Sequence, residues 1–487
     1  MVSRRALPLI SRSPSRLLQT SCHPPSFSIY AHWPYCAQKC VYCAFNKYVN
    51  PRVDHDRMRN ALVSELREEL REYRGRPVNS IYFGGGTPTL ALPSTFEAIL
   101  DEIRSVCDIT PDTEITIEGN PTSVEADRLR EFAALGVNRV SLGIQSFNDN
   151  ILKLLGRDHS AKEALRALHL AKRHFPRTSF DLIYGRGDDL EEWKRELRHA
   201  LELAGEHVSM YQLTVERGTP FFNDVEAKRI RMPDEDVLSE FYEVTVQIAQ
   251  DFGFTHYEVS SFARHPRAVS RHNFGYWRGL DYIGIGPGAH GRVWDREEGK
   301  GKRNFRIPHP ETWMRHCEQL GNGLRKSVSL PRSTFQDELV LLALRTTLGI
   351  PNSRFSALTG IRLKDALDME EVATLIEGGF LVWDEEGEGE LKRAWFTEVV
   401  GEREVGSGGL RPTAKGLQMA DEIVPRILRT HNRNQRKKKK KCLMNCPNIT
   451  RKNNPDIASF LKGTRAGSHD ARSGRFRSDH LNTSEQA

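Results

Sequence analysis

Short apolar runs recur through the first half of the chain at 27–33, 80–83, 114–118, 139–144, 179–184 and 208–213. Brief runs bounded by turn residues are what strands buried in a sheet look like. Most of the stretches between them carry a different period. Residues 56–73 place Met58, Leu62, Leu66 and Leu70 on one helical stripe, and 123–135, 160–174 and 189–204 also read as helices. Six strands alternating with helices imply an α/β fold with a parallel sheet and right-handed crossovers.

Beyond residue 282 the rhythm changes. Tyr282-Ile-Gly-Ile-Gly-Pro-Gly-Ala-His290 reads as an apolar strand entering a tight turn, and 291–329 reads as a linker. Residues 330–430 then show helical periodicity at 335–345 and 363–378, a strand pair near 380–383 and 391–396, and a last helix at 412–429. The pattern is that of a smaller, helix-rich, winged-helix-like domain. Winged helices often bind DNA, but the acidic run from Asp384 to Glu388 in the wing loop would repel phosphate. Packing between domains or contact with a protein partner suits it better.

The length of 487 residues fits such a division into one large and one small domain, and the charge of +7 sharpens it. Residues 1–28 carry four Arg and no acid, and residues 431–487 carry fourteen Lys and Arg against four Asp and Glu, so residues 29–430 carry a net −7. The leader, with Arg4, Arg5, Arg12 and Arg16 among Ser and apolar residues, has the composition of a mitochondrial transit peptide. Residues 431–487 have too few apolar groups to offset the entropy of ordering and read as a disordered basic tail. Its Lys run lacks interleaved aromatics to stack on bases, so no nucleic-acid partner is expected. No apolar run approaches the ~18 residues of a spanning helix, which leaves peripheral membrane contact at most.

Three of the eight cysteines, Cys36, Cys40 and Cys43, lie within eight residues. Such an odd, tight set points to metal rather than to disulfides. A structural zinc site closes with four ligands, commonly as paired knuckles, and no second knuckle follows. Three thiolates on one loop suit an iron–sulfur cluster that leaves one iron without a protein ligand. One strand later comes Gly84-Gly85-Gly86-Thr87-Pro88, where successive glycines let backbone approach a ligand closely. Polar residues on or just after the next strands are Glu118, Gln145 with the downstream Arg157, and Asp181. In barrel folds, chemistry gathers at those carboxyl ends. The segment His272-Asn273-Phe274-Gly275-Tyr276-Trp277, taken alone, reads as a His-Asn turn with core rings.

The C-x3-C-x2-C spacing resembles the signature of the radical S-adenosylmethionine (SAM) superfamily. From Tyr30 to about Tyr282 the chain resembles the oxygen-independent coproporphyrinogen III oxidase group, and within it the HemW-type haem chaperones, which share the H-N-x-x-Y-W motif. The resemblance implies a partial (β/α)6 barrel over 29–290 and a [4Fe-4S] cluster on Cys36, Cys40 and Cys43. It implies SAM beside Tyr30 and Tyr42, its amino-acid end held by Gly85, Gly86, Thr87 and Glu118, with Gln145, Arg157 and Asp181 lining the rest. Haem at His272, with Tyr276 and Trp277, is the third implied cofactor. The oxidases carry a further Cys where Phe45 stands here, which puts oxidase chemistry in doubt. The expected function is therefore mitochondrial haem delivery to acceptor apoproteins, with the respiratory chain as one candidate destination and a homodimer as one candidate state. The rival is an enzyme of porphyrin metabolism that cleaves SAM reductively to a 5′-deoxyadenosyl radical.

Overall fold

In the computed structural model, residues 26–295, 300–385, 390–400 and 408–429 are described. The six apolar runs are strands: β1 (Phe27–Trp33), β2 (Val78–Gly85), β3 (Glu114–Gly119), β4 (Arg139–Gln145), β5 (Arg177–Tyr184) and β6 (His207–Gln212). They lie side by side in chain order, every neighbouring pair parallel. The helices His55–Glu69, Pro93–Val106, Ser123–Ala134, Ala161–His174 and Leu190–Leu203 make the crossovers.

Alternation along the strands decides what each face does. Ile29, Ile81, Phe83, Ile117, Val140, Leu142, Phe180 and Leu182 belong to one apolar core with helix residues such as Met58, Leu62, Phe96, Phe132, Leu168 and Leu197. The intervening positions carry Ser28, Tyr30, His32, Ser80, Tyr82, Glu114, Glu118, Ser141, Ser179, Asp181 and His207, with bonds across strands from Ser80 to Ser28, Tyr82 to Glu118, Ser141 to Asp181 and between Ser179 and His207. The concave side of the sheet is therefore polar, as befits a barrel built around a ligand.

The segment 291–329, expected as a linker, is part of this sheet. Tyr282–Ile285 pairs parallel with β1, and His290–Asp295, Lys300–Arg306 and Leu324–Ser329 follow antiparallel, with the helix Pro310–Leu320 between the last two. Thr255–Glu258 and Ser261–Ala263 extend the opposite edge, giving twelve strands. The added edge was hidden because its outermost strand, Leu324-Arg-Lys-Ser-Val-Ser329, is almost wholly exposed and carries no apolar run. Charged residues are usual on such edges, where they discourage pairing with another chain.

A second core gathers Phe335, Leu339, Phe355, Leu363, Val372, Leu375, Leu381, Leu410 and Ile423. A three-stranded sheet, with Gly409–Pro412 between Ile350–Pro351 and Leu381–Asp384, sits among its helices. Two expectations need correction here. The run 391–396 is not a strand but lies in the helix Glu390–Val400, and the partner of Leu381–Asp384 is Gly409–Pro412. The adjacent aromatics Trp395 and Phe396 suggested β structure, yet they serve to dock a helix, stacking on Tyr257 and Phe274 respectively. The helix expected over 363–378 is broken into Leu363–Ala366 and Met369–Glu377, pinned where the Asp368 amide donates to the Ile427 carbonyl at 2.8 Å. The last helix likewise divides, into Ala414–Gln418 and Ala420–Ile427. The expected leader up to residue 25, the tail 431–487 and wing-loop residues 386–388 lie outside the described residues.

The added strands are tied to the barrel by one buried carboxylate. Glu65 accepts from the amides of Gly286 (2.8 Å) and Gly323 (2.7 Å) and from the Trp313 indole, and faces the Arg306 guanidinium at 3.5 Å. Removing Glu65 leaves Arg306 paired with Glu69 at 2.7 Å, but strips the Gly286 and Gly323 amides and the Trp313 indole of their buried acceptor. Glu65→Ala is expected to lower stability by about 2–4 kcal/mol in chemical denaturation, the cost of leaving buried donors without an acceptor; a change within the surface range of about 0.5 kcal/mol would show that the network is not essential.

Candidate functional site

The loop after β1 carries the three cysteines. Cys36 ends the two-residue strand Tyr35–Cys36, which pairs with Tyr48–Val49, and all three cysteines are half-buried. The loop is tied down at several points. The Val41 amide donates to the Leu155 carbonyl, its carbonyl accepts from the Phe221 amide at 3.0 Å, and Asn46 Nδ2 donates to the carbonyls of Pro287 (2.8 Å) and Pro308 (3.0 Å). Lys47 is buried, with Nζ donating to the Cys43 carbonyl at 2.9 Å; among the described residues no carboxylate pairs with it.

A chain of hydrogen bonds joins the glycine loop to the second cysteine. Asn120 Nδ2 donates to Thr87 Oγ1 at 3.2 Å, and Arg157 donates to Asn120 Oδ1 at 2.6 Å and to Cys40 Sγ at 2.9 Å. Burial pushes the Cys36 thiol up to about 11, while Thr87 and Lys47 pull it back. Metal binding would overcome that penalty, since a coordinating thiol gives up its proton.

Gly85 adopts φ +110°, and a Cβ there would meet the His32 ring at 2.5 Å, so only glycine fits. Its amide donates to Glu118 Oε2 at 3.1 Å, and the Tyr82 hydroxyl donates to Glu118 Oε1 at 2.6 Å. Burial raises the Glu118 carboxyl and these two donors lower it again. Gln145 is one of two non-glycine residues with positive φ (+70°) among those described, at a register shift between β4 and β5. A positive φ in a non-glycine residue is backbone strain, of the kind that clusters at functional positions. Its amide lies beside Gly143 and Arg157. Asp181 accepts from Ser141 Oγ at 3.4 Å; burial first, then Glu118, raises its carboxyl to about 7.

Of the sequence candidates, Cys36, Cys40, Cys43, Tyr42, Gly85, Gly86, Thr87, Glu118, Gln145, Arg157 and Asp181 thus gather at the carboxyl ends of the strands. Tyr30 lies deeper, its hydroxyl 3.0 Å from His32 Nδ1. The H-N-x-x-Y-W residues are elsewhere. The helix Arg271–Trp277 closes the amino-terminal end, where Arg271 donates to the Asp112 carbonyl just before β3. His272 is 0% exposed, with Nδ1 2.9 Å from Ser80 Oγ and Nε2 2.8 Å from the Tyr276 hydroxyl. Burial lowers its imidazole to about 3, so the ring is neutral. Trp277 parts from the other two and faces Arg345, 5.6 Å from its ring.

Sequence reading passed over four residues that build the mouth: His32, Lys47, Tyr82 and Asn120. His32 Nε2 lies 2.9 Å from the Asn46 carbonyl, joining β1 to the end of the cysteine loop. The signal for His32 was its place two residues after Tyr30, on the same face of β1. For Asn120 it was position, one residue beyond the end of β3.

The donor set fits an iron–sulfur cluster and SAM. Among the described residues no three metal-binding side chains converge on one ion, but thiolates that each bind a different iron of one cluster have no need to. Two cations, Lys47 and Arg157, stand at the loop to balance thiolate charge, and the buried Arg157 Nε has no protein partner.

Residues 30–200 match the family model of the radical SAM superfamily, and 318–387 match that of the HemN C-terminal domain. In the search of solved structures, coproporphyrinogen III oxidase HemN of Escherichia coli superposes with a TM-score of 0.66 over 82% of this chain and 89% of that one, at 22% identity, a likeness of fold. Fold and site together define a radical SAM protein. Among curated relatives, the radical S-adenosyl methionine domain-containing protein 1, mitochondrial, of Mus musculus is 41% identical over 374 residues, 76% of this chain and 84% of the relative. The heme chaperone HemW of Escherichia coli is 38% identical over 340 residues, 69% and 87% of the two chains. The chain belongs to the family these two proteins represent.

The raised Asp181 carboxyl sets a pH dependence. Its folded value near 7 lies above the ordinary 3.8, so the folded state holds this proton more tightly, and that share of stability is lost as pH rises from about 4 through 7. Asp181→Asn is expected to match the wild type near pH 4 and to exceed it by about 2–4 kcal/mol at pH 8, with cofactors absent. Parallel denaturation curves at the two pH values check this; an equal offset at both would refute it.

Proposed function

We propose that the protein is a mitochondrial haem chaperone that carries a [4Fe-4S] cluster and exchangeable SAM and passes haem to acceptor apoproteins, without coproporphyrinogen oxidase activity. The observation that carries the reading is the hydrogen-bond chain Thr87–Asn120–Arg157–Cys40 beside Glu118, combined with Phe45, 47% exposed, where the oxidase pattern has a further thiol. In this reading Cys36, Cys40 and Cys43 hold the cluster, and the cluster supplies an electron and an open iron for the methionine end of SAM. Glu118 accepts from the ammonium, and the Gly85–Thr87 backbone lies close enough for contact. Arg157, Gln145 and Asp181 offer donors and acceptors to the remaining oxygens. Tyr30 supports the pocket through His32, and Tyr42 shields the loop.

The haem part of the reading is supported by the name of the bacterial relative and by the H-N-x-x-Y-W motif. As the protein stands, ligation by His272 would require Tyr276 to release Nε2. Mitochondrial placement is supported by relatives named mitochondrial in four organisms and by the Arg-rich leader. Respiratory-chain acceptors and a homodimer belong to the same proposal. No nucleic acid enters it, and no described helix is long and apolar enough to cross a membrane, which suits peripheral contact at most.

The test uses the full chain, reconstituted anaerobically with iron and sulfide. Haem is expected to bind and transfer to an apo-haem protein, while coproporphyrinogen III yields no decarboxylated porphyrin. Replacing all three cluster cysteines by Ser should remove the bound iron and weaken SAM binding by at least about a hundredfold, since the open iron is then lost. Decarboxylated porphyrin would establish the enzyme reading instead.

A further inference from the structure

The floor of the barrel and its mouth share one side chain. His272 enters from the amino-terminal end and lies flat on Tyr82, ring centroids 4.7 Å apart and planes 24° apart. Tyr82 then reaches the mouth, its hydroxyl donating to Glu118 Oε1 at 2.6 Å. That length is typical of a hydroxyl serving a carboxylate, one of the stronger hydrogen bonds a protein makes. Glu118 Oε2 is held by the Gly85 amide, so the orientation of the whole carboxylate depends on where the Tyr82 ring stands.

The His272 ring is fixed on every side. Ser80 Oγ donates to Ser28 Oγ at 2.8 Å, so toward His272 it accepts, and the Nδ1 proton points at it. Nε2 then carries the lone pair and accepts from the Tyr276 hydroxyl. The His272 amide donates to Glu114 Oε1 at 3.1 Å, which ties the helix to β3. Tyr30 packs beside both rings, 6.1 Å from Tyr82 and 6.2 Å from His272, and Gly84 leaves the space that a Cβ would take from Tyr82 and Tyr30. A buried ring held this firmly serves its neighbour as a wall.

We propose that His272 is a positioning residue of the cofactor pocket, acting through the Tyr82 ring on Glu118, so that whatever draws His272 from the floor weakens binding at the mouth. The inference rests on the reading that Glu118 takes the SAM ammonium. If haem takes Nε2, the two ligands are linked: haem weakens SAM binding, and SAM weakens haem binding by the same factor.

The experiment measures SAM dissociation constants by equilibrium dialysis on the reconstituted full chain, with iron content and circular dichroism recorded for each variant. Tyr82→Phe, which removes only the hydroxyl, should weaken SAM about tenfold. His272→Ala should weaken it about fivefold in the wild-type background and less than about twofold in the Tyr82→Phe background, the non-additivity of residues acting in series. Tyr276→Phe, which keeps both rings, repeats the cycle should His272→Ala lose iron or fold. Equal effects in the two backgrounds, or unchanged SAM affinity in a folded, iron-replete His272 variant, would overturn the proposal. A wild type with full iron and no SAM affinity would instead sink the pocket reading. Saturating haem should weaken SAM several-fold in the wild type and not in His272→Ala. If the cycle shows coupling and haem has no effect, the positioning role stands and haem ligation by His272 falls.

Discussion

Glu118 sits at the end of a strand whose alternate residues are in the apolar core, and withdrawing its charge from water costs free energy that two hydrogen bonds only partly return. The rest of the mouth follows from keeping that carboxylate in place. A backbone amide must point at it, which requires the φ of +110° that Gly85 adopts. The absent Cβ at Gly85 leaves room for the His32 ring, and His32 in turn reaches the Asn46 carbonyl at the end of the cysteine loop. Asn46 is fixed to the carbonyls of Pro287 and Pro308, and the turn before Pro287 is held by Glu65. The buried Glu118 carboxyl group at the top of the barrel is thus braced by a second buried carboxyl group, Glu65, outside it.

Charge is graded across the mouth. The cations Lys47 and Arg157 stand by the cysteines, while the acids Glu118 and Asp181 lie toward the barrel axis. With the pocket empty, the acids disfavour each other: Glu118 is the second cause, after burial, of the raised Asp181 carboxyl. A ligand with a cationic group between them would relieve that cost and gain affinity from it. This like-charge placement separates the mouth from Glu114, which is paired with Arg139 and Arg177 at the floor.

The fold was legible where hydrophobic period and position in the chain agree. All six barrel strands could be read because one face of each meets a helix, and the helical stripe of Met58, Leu62 and Leu66 is the face that meets them. The winged region was misread where local preference and packing disagree: Trp395 and Phe396 look like strand residues but are the docking side of a helix. The exposed edge 324–329 was missed because burial, the source of the signal, is absent there. At the site, the cysteines, glycines and Glu118 were visible as spacing along the chain. The bond from Arg157 to Cys40 spans 117 positions, and no local pattern encodes it. Nor could sequence tell that His272 is reached from the opposite end, since only the packing of the helix Arg271–Trp277 on the sheet sets that distance.

That packing gives the small C-terminal domain a place in the same chain of contacts. Phe396 stacks on Phe274 at 5.1 Å with planes 9° apart, in the middle of the floor helix, and Arg267 just before it faces Glu398. The floor helix therefore has His272 against the barrel interior and Phe274 against the second domain. Moving His272 means moving a helix clamped from both sides, and the cost falls on the stacked aromatic contacts of the outer face as well as on the hydrogen bonds of the inner one. The second domain thus acts as a brace on the floor helix, and through His272 and Tyr82 its packing bears on the carboxylate at the mouth.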